Sequence, residues 1–236
     1  MSFVTRKAGQ RYIIYDDETF DEPEQILFTS DAWARRDAIV GFADGRGTTF
    51  FVTYQDHELA LRHYHRGGLI ARWSPDRYLW TGLGLTRAWR EMHLLQRLRE
   101  SGLPVPRPIA AQIVRHGLVY TADIMTRRIP GARALGGILT SGKLDAGQWN
   151  TLGKVIGRFH EQGVYHADLN ANNILQDRAG RFYLIDFDRG VIKRRSKGWQ
   201  QRNLQRLHRS LVKLRGANET FHFTEANWQE LLAGYS

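Results

Sequence analysis

Cysteine is absent from the 236 residues, which excludes disulfides and thiolate metal sites and leaves a reducing compartment allowed but unproven. No apolar run approaches the roughly 18 residues that span a bilayer. The opening stretch Met1–Lys7 has no apolar core of the kind a signal peptide carries. These absences lead to the expectation of a soluble cytoplasmic protein, or at most one held to a membrane surface. There is no internal repeat and no low-complexity linker. Acids are short relative to bases: 24 Asp and Glu against 34 Lys and Arg give a net charge of +10. That excess favours an anionic partner, whether nucleic acid, phospholipid head groups or a polyanionic substrate, or is merely a soluble basic surface. Since no aromatic-basic motif or fold signature of nucleic-acid recognition is present, nucleic acid is not the expected partner.

What is present begins with an ordinary globular composition, 42% apolar and 25% charged, in a chain long enough for one good core or two small lobes. The stretch from Tyr165 to Gly190 concentrates the chemistry. His166-Ala-Asp168 opens it, and Asn173 follows the aspartate by five residues. Ile174-Leu175 begins a strand, Asp177 to Gly180 is a turn signal, and Phe182 to Ile185 returns to deliver Asp186. One carboxylate, one carboxamide and a second carboxylate thus converge at one end of a hairpin. Phosphoryl transfer needs such a set: a metal held against phosphates and a residue that orients the acceptor hydroxyl. Mg2+ wants oxygen ligands and commonly takes one or two carboxylates plus substrate phosphates. Asn173 and Asp186 fit as ligands, and Asp168 fits as the acceptor of the hydroxyl proton.

On His166, Asp168, Asn173, Asp186 and Phe187 the stretch resembles the protein-kinase fold superfamily, with its catalytic loop H-x-D-x-x-x-x-N and a metal loop beginning D-F-G. The resemblance implies an α+β, two-lobed protein-kinase-like fold: an N-lobe over 1–128 with a five-stranded antiparallel sheet and one main helix, and a mostly helical C-lobe over 129–236. The strands expected are the opening arm to about Gln10, Thr48 to Tyr54, His57 to Tyr64, Ile109 to Val114 and Leu118 to Met125. Helices are expected from Ser30 or Asp31 as cap, over 86–100, 148–162 and 224–233, with a leucine face (Leu204, Leu207, Leu211, Leu214) over 199–214. Arg62 falls where the fold places its phosphate-binding lysine, and Glu91 where a helix carboxylate pairs with it. The other pairing open to Glu91 is a surface one with Arg87 or Arg97. Gly41, Gly45 and Gly47 make a weak glycine-loop signal, for which a plain hairpin turn is equally good. Thr126 to Gly131, including Arg127, is the connector whose backbone would receive an adenine ring. Nine Lys or Arg and no acid lie between Lys193 and Arg215, a cationic face for a membrane or substrate, or solvated charges behind core leucines.

Departures from the protein-kinase pattern narrow the acceptor. Asn170 stands where protein kinases acting on serine carry a lysine, Asp188 replaces the glycine of D-F-G, and no long activation segment follows. The phrases LRHYHRGGLIAR, YLWTGLGLTRAWREMHLL, GLPVPRPIAA, HADLNANNIL and YLIDFDRG are similar to the 3-deoxy-D-manno-octulosonic acid (Kdo) kinases of Gram-negative bacteria. That resemblance spans about residues 10 to 235. It implies an ATP- and Mg2+-dependent kinase acting on the 4-hydroxyl of a Kdo sugar on a lipid A precursor, at the cytoplasmic face of the inner membrane. Asp168 would be catalytic. Asn173 and Asp186 would hold metal, and Arg62, Glu91, Gly45, Gly47 and Arg127 would serve the nucleotide. The alternatives are a lipopolysaccharide core heptose kinase, a small atypical protein kinase, or a catalytically dead nucleotide-binding adaptor.

Overall fold

The computed structural model describes residues 2–22, 26–43, 48–66 and 76–235. Gly45, Gly47 and most of the aromatic connection after Arg66 lie outside the described residues. The chain divides into two compact units, 1–96 with 106–128, and 97–105 with 129–236.

The first unit is built on an antiparallel sheet of eight strands: β1 (Phe3–Ala8), β2 (Arg11–Asp16), β3 (Ile39–Ala43), β4 (Thr49–Tyr54), β5 (His57–His63), β6 (Tyr78–Leu79), β7 (Pro108–His116) and β8 (Val119–Arg127). Their order is β1-β2-β7-β8-β5-β4-β3, with β6 also on β8. The α+β kinase-like class expected from sequence holds, but five strands was too few. The segment of β2, RYIIYD, buries four consecutive residues and so lacks the alternation that marks a half-exposed strand. In β3, Gly41 reads as turn punctuation. It sits instead within the strand at a register shift, so Gly41–Ala43 are ladder residues rather than loop. Trp33, Phe20, Ile26, Val52, Leu59 and Met125 form the centre of the core.

Among the described residues, two helices accompany the sheet. In α1 (Ser30–Ala34) the cap is Thr29, not Ser30 or Asp31: Thr29 has extended backbone and its side chain accepts the N–H of Ala32. The second, α2 (Arg87–Glu100), follows a 3-10 turn at Leu83–Leu85 and buries Ala88, Glu91, Met92, Leu95 and Leu98 along one stripe. A charged residue within that stripe needs partners, and it has them, as described below.

The second unit holds α3 (Leu135–Ser141), α4 (Ala146–Glu161), α5 (Lys197–Ala217) and α6 (Glu225–Tyr235), with short strands β9 (Arg133–Ala134), β10 (Val164–Tyr165), β11 (Ile174–Gln176), β12 (Phe182–Leu184) and β13 (Val191–Ile192). A capping box starts α4: Asp145 accepts the N–H of Gln148, whose side chain accepts the N–H of Asp145. Along α4 the buried face runs Trp149, Leu152, Gly153, Ile156, Gly157, Phe159. Its glycines let α6 approach to backbone contact, Gly153 against Leu231 and Tyr235, and Gly234 of α6 against Asn150. In α5, Leu204, Leu207 and Leu211 are buried while every Lys and Arg from 193 to 215 is exposed. The leucines face the core and the cations face out.

Candidate active site

The hairpin of β11 and β12 sets the spacing of the polar groups. Its register pairs Ile174 with Leu184, and Ile185 N–H donates to the Asn173 carbonyl at 3.0 Å. Asn173 is therefore carried across from Ile185, one residue before Asp186. Asp177 turns the hairpin by accepting the N–H groups of Ala179 and Arg181 at 2.9 Å each, and Gly180 supplies the positive φ of 77° the turn requires. Asp186 itself lies in the left-handed region with φ 61°. A non-glycine residue there carries about 1–3 kcal/mol of strain, which such residues show most often at functional sites.

His166 locks the loop. It is buried, its Nε2–H donates to the Ile185 carbonyl (2.9 Å), and its Nδ1 accepts the N–H of Asp168 (3.1 Å). Its own backbone is bracketed by Asn203 of α5, whose Oδ1 accepts the His166 N–H (3.2 Å) and whose Nδ2 donates to the His166 carbonyl (3.0 Å). Burial pushes the imidazole below its ordinary range, so the neutral ring with one donor and one acceptor is the form this geometry uses. Phe187 packs over it, with ring centres 4.7 Å apart.

Asn170 and Asn173 shape the rest. Asn170 Oδ1 accepts the N–H groups of Asn172 and Asn173, and its Nδ2 donates to the Asp168 carbonyl at 3.0 Å. Asn173 Nδ2 donates to the same carbonyl at 2.9 Å, which leaves Oδ1 as the atom that would meet a cation. The Asp168 carboxylate is partly exposed and meets Arg206 Nη1 at 3.3 Å. Sequence reasoning missed Arg206, Asn203 and Ser210, whose Oγ accepts the Ala171 N–H at 3.2 Å. Their only sequence signal is a shared helical face, at spacings of three and four, with buried Leu207.

An amide oxygen and a carboxylate suit a hard divalent ion shared with substrate phosphates. Among the described residues no three His, Cys, Asp or Glu side chains gather into an all-protein metal cage, so a metal here would rely on those two oxygen donors and the substrate.

In the first unit, Arg62 on β5 donates through Nη2 to both carboxylate oxygens of Glu91, at 2.8 and 2.9 Å. Tyr64 O–H donates to the same carboxylate at 2.5 Å, and the guanidinium stands 4.8 Å from the Tyr64 ring centre. Glu91 is 3% exposed and Arg62 25%: a buried acid holding a cation whose outer edge reaches solvent. Sequence reasoning missed Tyr64 as the second donor. Arg127 ends β8; its N–H donates to the Arg107 carbonyl and its Nη2 meets His57 Nδ1 at 2.5 Å.

Two buried histidines set an acid limit on the second unit. Burial pushes His160 down to about 4, and its Nδ1 lies 2.8 Å from the Tyr235 hydroxyl. His166 is shifted the same way. A lowered folded-state pKa means that stability is intact above the unfolded value near 6.5 and is lost as pH falls towards 4. For His160 the loss reaches about 3 kcal/mol at pH 4. Thermal melts followed by helical circular dichroism are expected to shift down steadily between pH 6.5 and 4.5. His160→Gln is expected to flatten part of that slope, and an unchanged slope would remove His160 as its source.

An antiparallel sheet with a buried carboxylate holding a cation, together with a helical unit carrying the H-x-D-x-x-x-x-N loop and an Asp-Phe hairpin, is the kinase-like class of α+β fold. The family comparison agrees over most of the length. Residues 30–235 match the lipopolysaccharide kinase (Kdo/WaaP) family, and the chain belongs to it. It is 43% identical over 230 residues to a protein of Vibrio vulnificus (strain YJ016) named 3-deoxy-D-manno-octulosonic acid kinase, covering 98% of this chain and 97% of that one. A protein of the same name from Stenotrophomonas maltophilia (strain K279a) is 47% identical over 205 residues, 86% of this chain and 81% of the relative. Another from Haemophilus influenzae (strain 86-028NP) is 41% identical over 238 residues, 98% of each. The family resemblance read from the sequence motifs is the one these comparisons give.

Proposed function

We propose that this chain transfers the terminal phosphoryl group of ATP to the 4-hydroxyl of a Kdo residue on a lipid A precursor. The observation that carries the chemistry is the loop of Asp168, Asn170 and Asn173, set by a neutral buried His166 beside the left-handed Asp186. The acceptor is argued from the near full-length similarity to proteins named for Kdo. In this reading Asp168 orients the acceptor hydroxyl and takes its proton late in the transfer. Asn173 and Asp186 hold the divalent ion, Mg2+ by the hardness of their donors, and when bound it neutralises phosphate charge. Arg62, held by Glu91 and Tyr64, serves as a nucleotide phosphate ligand, its planar guanidinium taking the place a lysine fills elsewhere. Gly45 and Gly47 and the backbone near Arg127 complete the proposed nucleotide contacts.

The same reading places the protein peripherally at the cytoplasmic face of the inner membrane. No helix among the described residues is long and apolar enough to cross a membrane. The nine exposed cations from Lys193 to Arg215 would each contribute about 1 kcal/mol near an anionic surface.

The test is phosphate transfer from labelled ATP to three acceptors: Kdo-bearing lipid A precursor, heptosylated core and a generic protein. Label on the Kdo-bearing acceptor alone is expected. Label on heptose or on protein would move the chain to those kinase classes, and nucleotide binding with no transfer would make it an adaptor. Flotation with vesicles tests the membrane reading in parallel: binding is expected to rise with anionic lipid and fall with salt, and indifference to both would sink it.

A further inference from the structure

The contact between Asp168 and α5 goes further, resting on the phosphotransfer reading above. A transferring phosphoryl group needs positive charge at its equatorial oxygens. The loop residue two places beyond Asp168 is not cationic, and both ends of the Asn170 amide are committed to the loop: Oδ1 to the N–H groups of Asn172 and Asn173, Nδ2 to the Asp168 carbonyl. A cation does stand beside Asp168, from a helix 38 residues further along the chain, with Arg206 Nη1 at 3.3 Å from Asp168 Oδ1.

The helix backbone that carries Arg206 is fixed by its neighbours. Asn203 grips both backbone groups of His166, Ser210 accepts the N–H of Ala171, and Leu207 is fully buried between them. Three residues before and four after Arg206, α5 is thus bonded to the catalytic loop. The arginine side chain is 46% exposed. An ion pair that open to solvent contributes about 0–1 kcal/mol, so the hydrogen bonds and the buried leucine, not this pair, hold the helix there. One contact through Nη1 uses only part of a fork of five N–H donors.

We propose that Arg206 is a catalytic residue that binds the transferred phosphoryl oxygens. As the acceptor hydroxyl gives its proton to the Asp168 carboxylate, the bond from the acceptor oxygen to the γ-phosphorus forms. The bond from that phosphorus to the bridging oxygen breaks, and its electron pair leaves on the β-phosphate of ADP. Arg206 stays protonated throughout and donates N–H hydrogen bonds to the equatorial oxygens. A guanidinium at one Asp168 oxygen stands one hydrogen bond from the attacking hydroxyl and hence beside the phosphorus. The sugar carboxylate, borne on C2, is two carbons removed from the C4 that carries that hydroxyl, which makes it the less suited anion.

The experiment is steady-state kinetics of Arg206→Ala, Arg206→Lys and Asp168→Ala, varying ATP and Kdo-bearing acceptor separately, with a thermal melt of each. Arg206→Ala is expected to lose about 100- to 1,000-fold in kcat with both KM values near wild type, the mark of an interaction made only in the transition state. Arg206→Lys is expected to fall between, and added guanidinium ion to restore part of the Arg206→Ala rate. A folded Arg206→Ala with wild-type kcat, or one that loses only acceptor KM, overturns the proposal. If Arg206→Ala melts early, Arg206→Gln takes its place under the same criteria. An active Asp168→Ala would sink the phosphotransfer reading as a whole, whereas a fully active Arg206→Ala beside a dead Asp168→Ala sinks only the role of Arg206.

Discussion

Asp168→Ala is expected to cut kcat for phosphoryl transfer by about 10^2- to 10^4-fold, the range a positioned proton acceptor contributes, while leaving the melting temperature within a degree or two of wild type (about 0.5 kcal/mol or less). The reason lies in how residue 168 is held. Its N–H is bonded to the His166 ring and its carbonyl accepts from both Asn170 and Asn173. The loop is anchored to its main chain, and the carboxylate is partly exposed. On the proposed role, deleting the side chain removes the proton acceptor and leaves the frame. Asp168→Asn sharpens the point, because it keeps the shape but not the basicity, and is expected to fall as far. Wild-type turnover in either variant, in a preparation free of contaminating kinase, would end the proposed role. A large drop in melting temperature would instead show that the carboxylate holds the loop.

The second large effect is on stability. Gly153→Val is expected to lower the melting temperature by roughly 6–12 °C, corresponding to about 3 kcal/mol in a chain of this size. A Cβ at Gly153 would run into the Leu231 carbonyl oxygen and come within 2.8 Å of the Tyr235 nitrogen. Both are backbone atoms, so no rotamer change relieves the clash and α6 must move off α4. Gly137→Ala is the matched control. It lies inside α3 with nothing within 4 Å of its added methyl, so the gain in helix propensity is expected to stabilise by up to about 1 kcal/mol. Thermal and urea unfolding of the two variants side by side measure the difference. Equal stability would show that the α4–α6 crossing relaxes freely.

The sequence was most legible where chemistry restricts residue type. A histidine, two carboxylates and an asparagine at fixed spacing around a hairpin admit few other readings, and the register of β11 and β12 carries the last two to one end. Helices with a clean stripe, such as α2 and α4, were legible for the same reason that they pack. Strands β2 and β3 were not. One buries four residues in a row and so does not alternate, and the other carries within it a glycine that reads as a turn. Arg206 was illegible for a different reason. Nothing local relates residue 206 to residue 168; only the fold brings α5 against the loop. Tyr64 was read as one side of a strand, and its bond to Glu91 depends on where α2 lies.

The short return after Asp186 has a consequence for control. Four residues, Phe187 to Gly190, lead to β13, which pairs with β10, and Lys193 N–H donates to the Gly163 carbonyl at 2.8 Å. No residue from Phe187 to Arg195 bears a hydroxyl. Switching by phosphorylation orders or releases a segment long enough to change state, and here the segment is a clamped turn with nothing to modify. The hairpin that carries Asp186 is thus followed by a short turn pinned at both β13 residues, with no hydroxyl on which phosphate could be placed between Phe187 and Arg195.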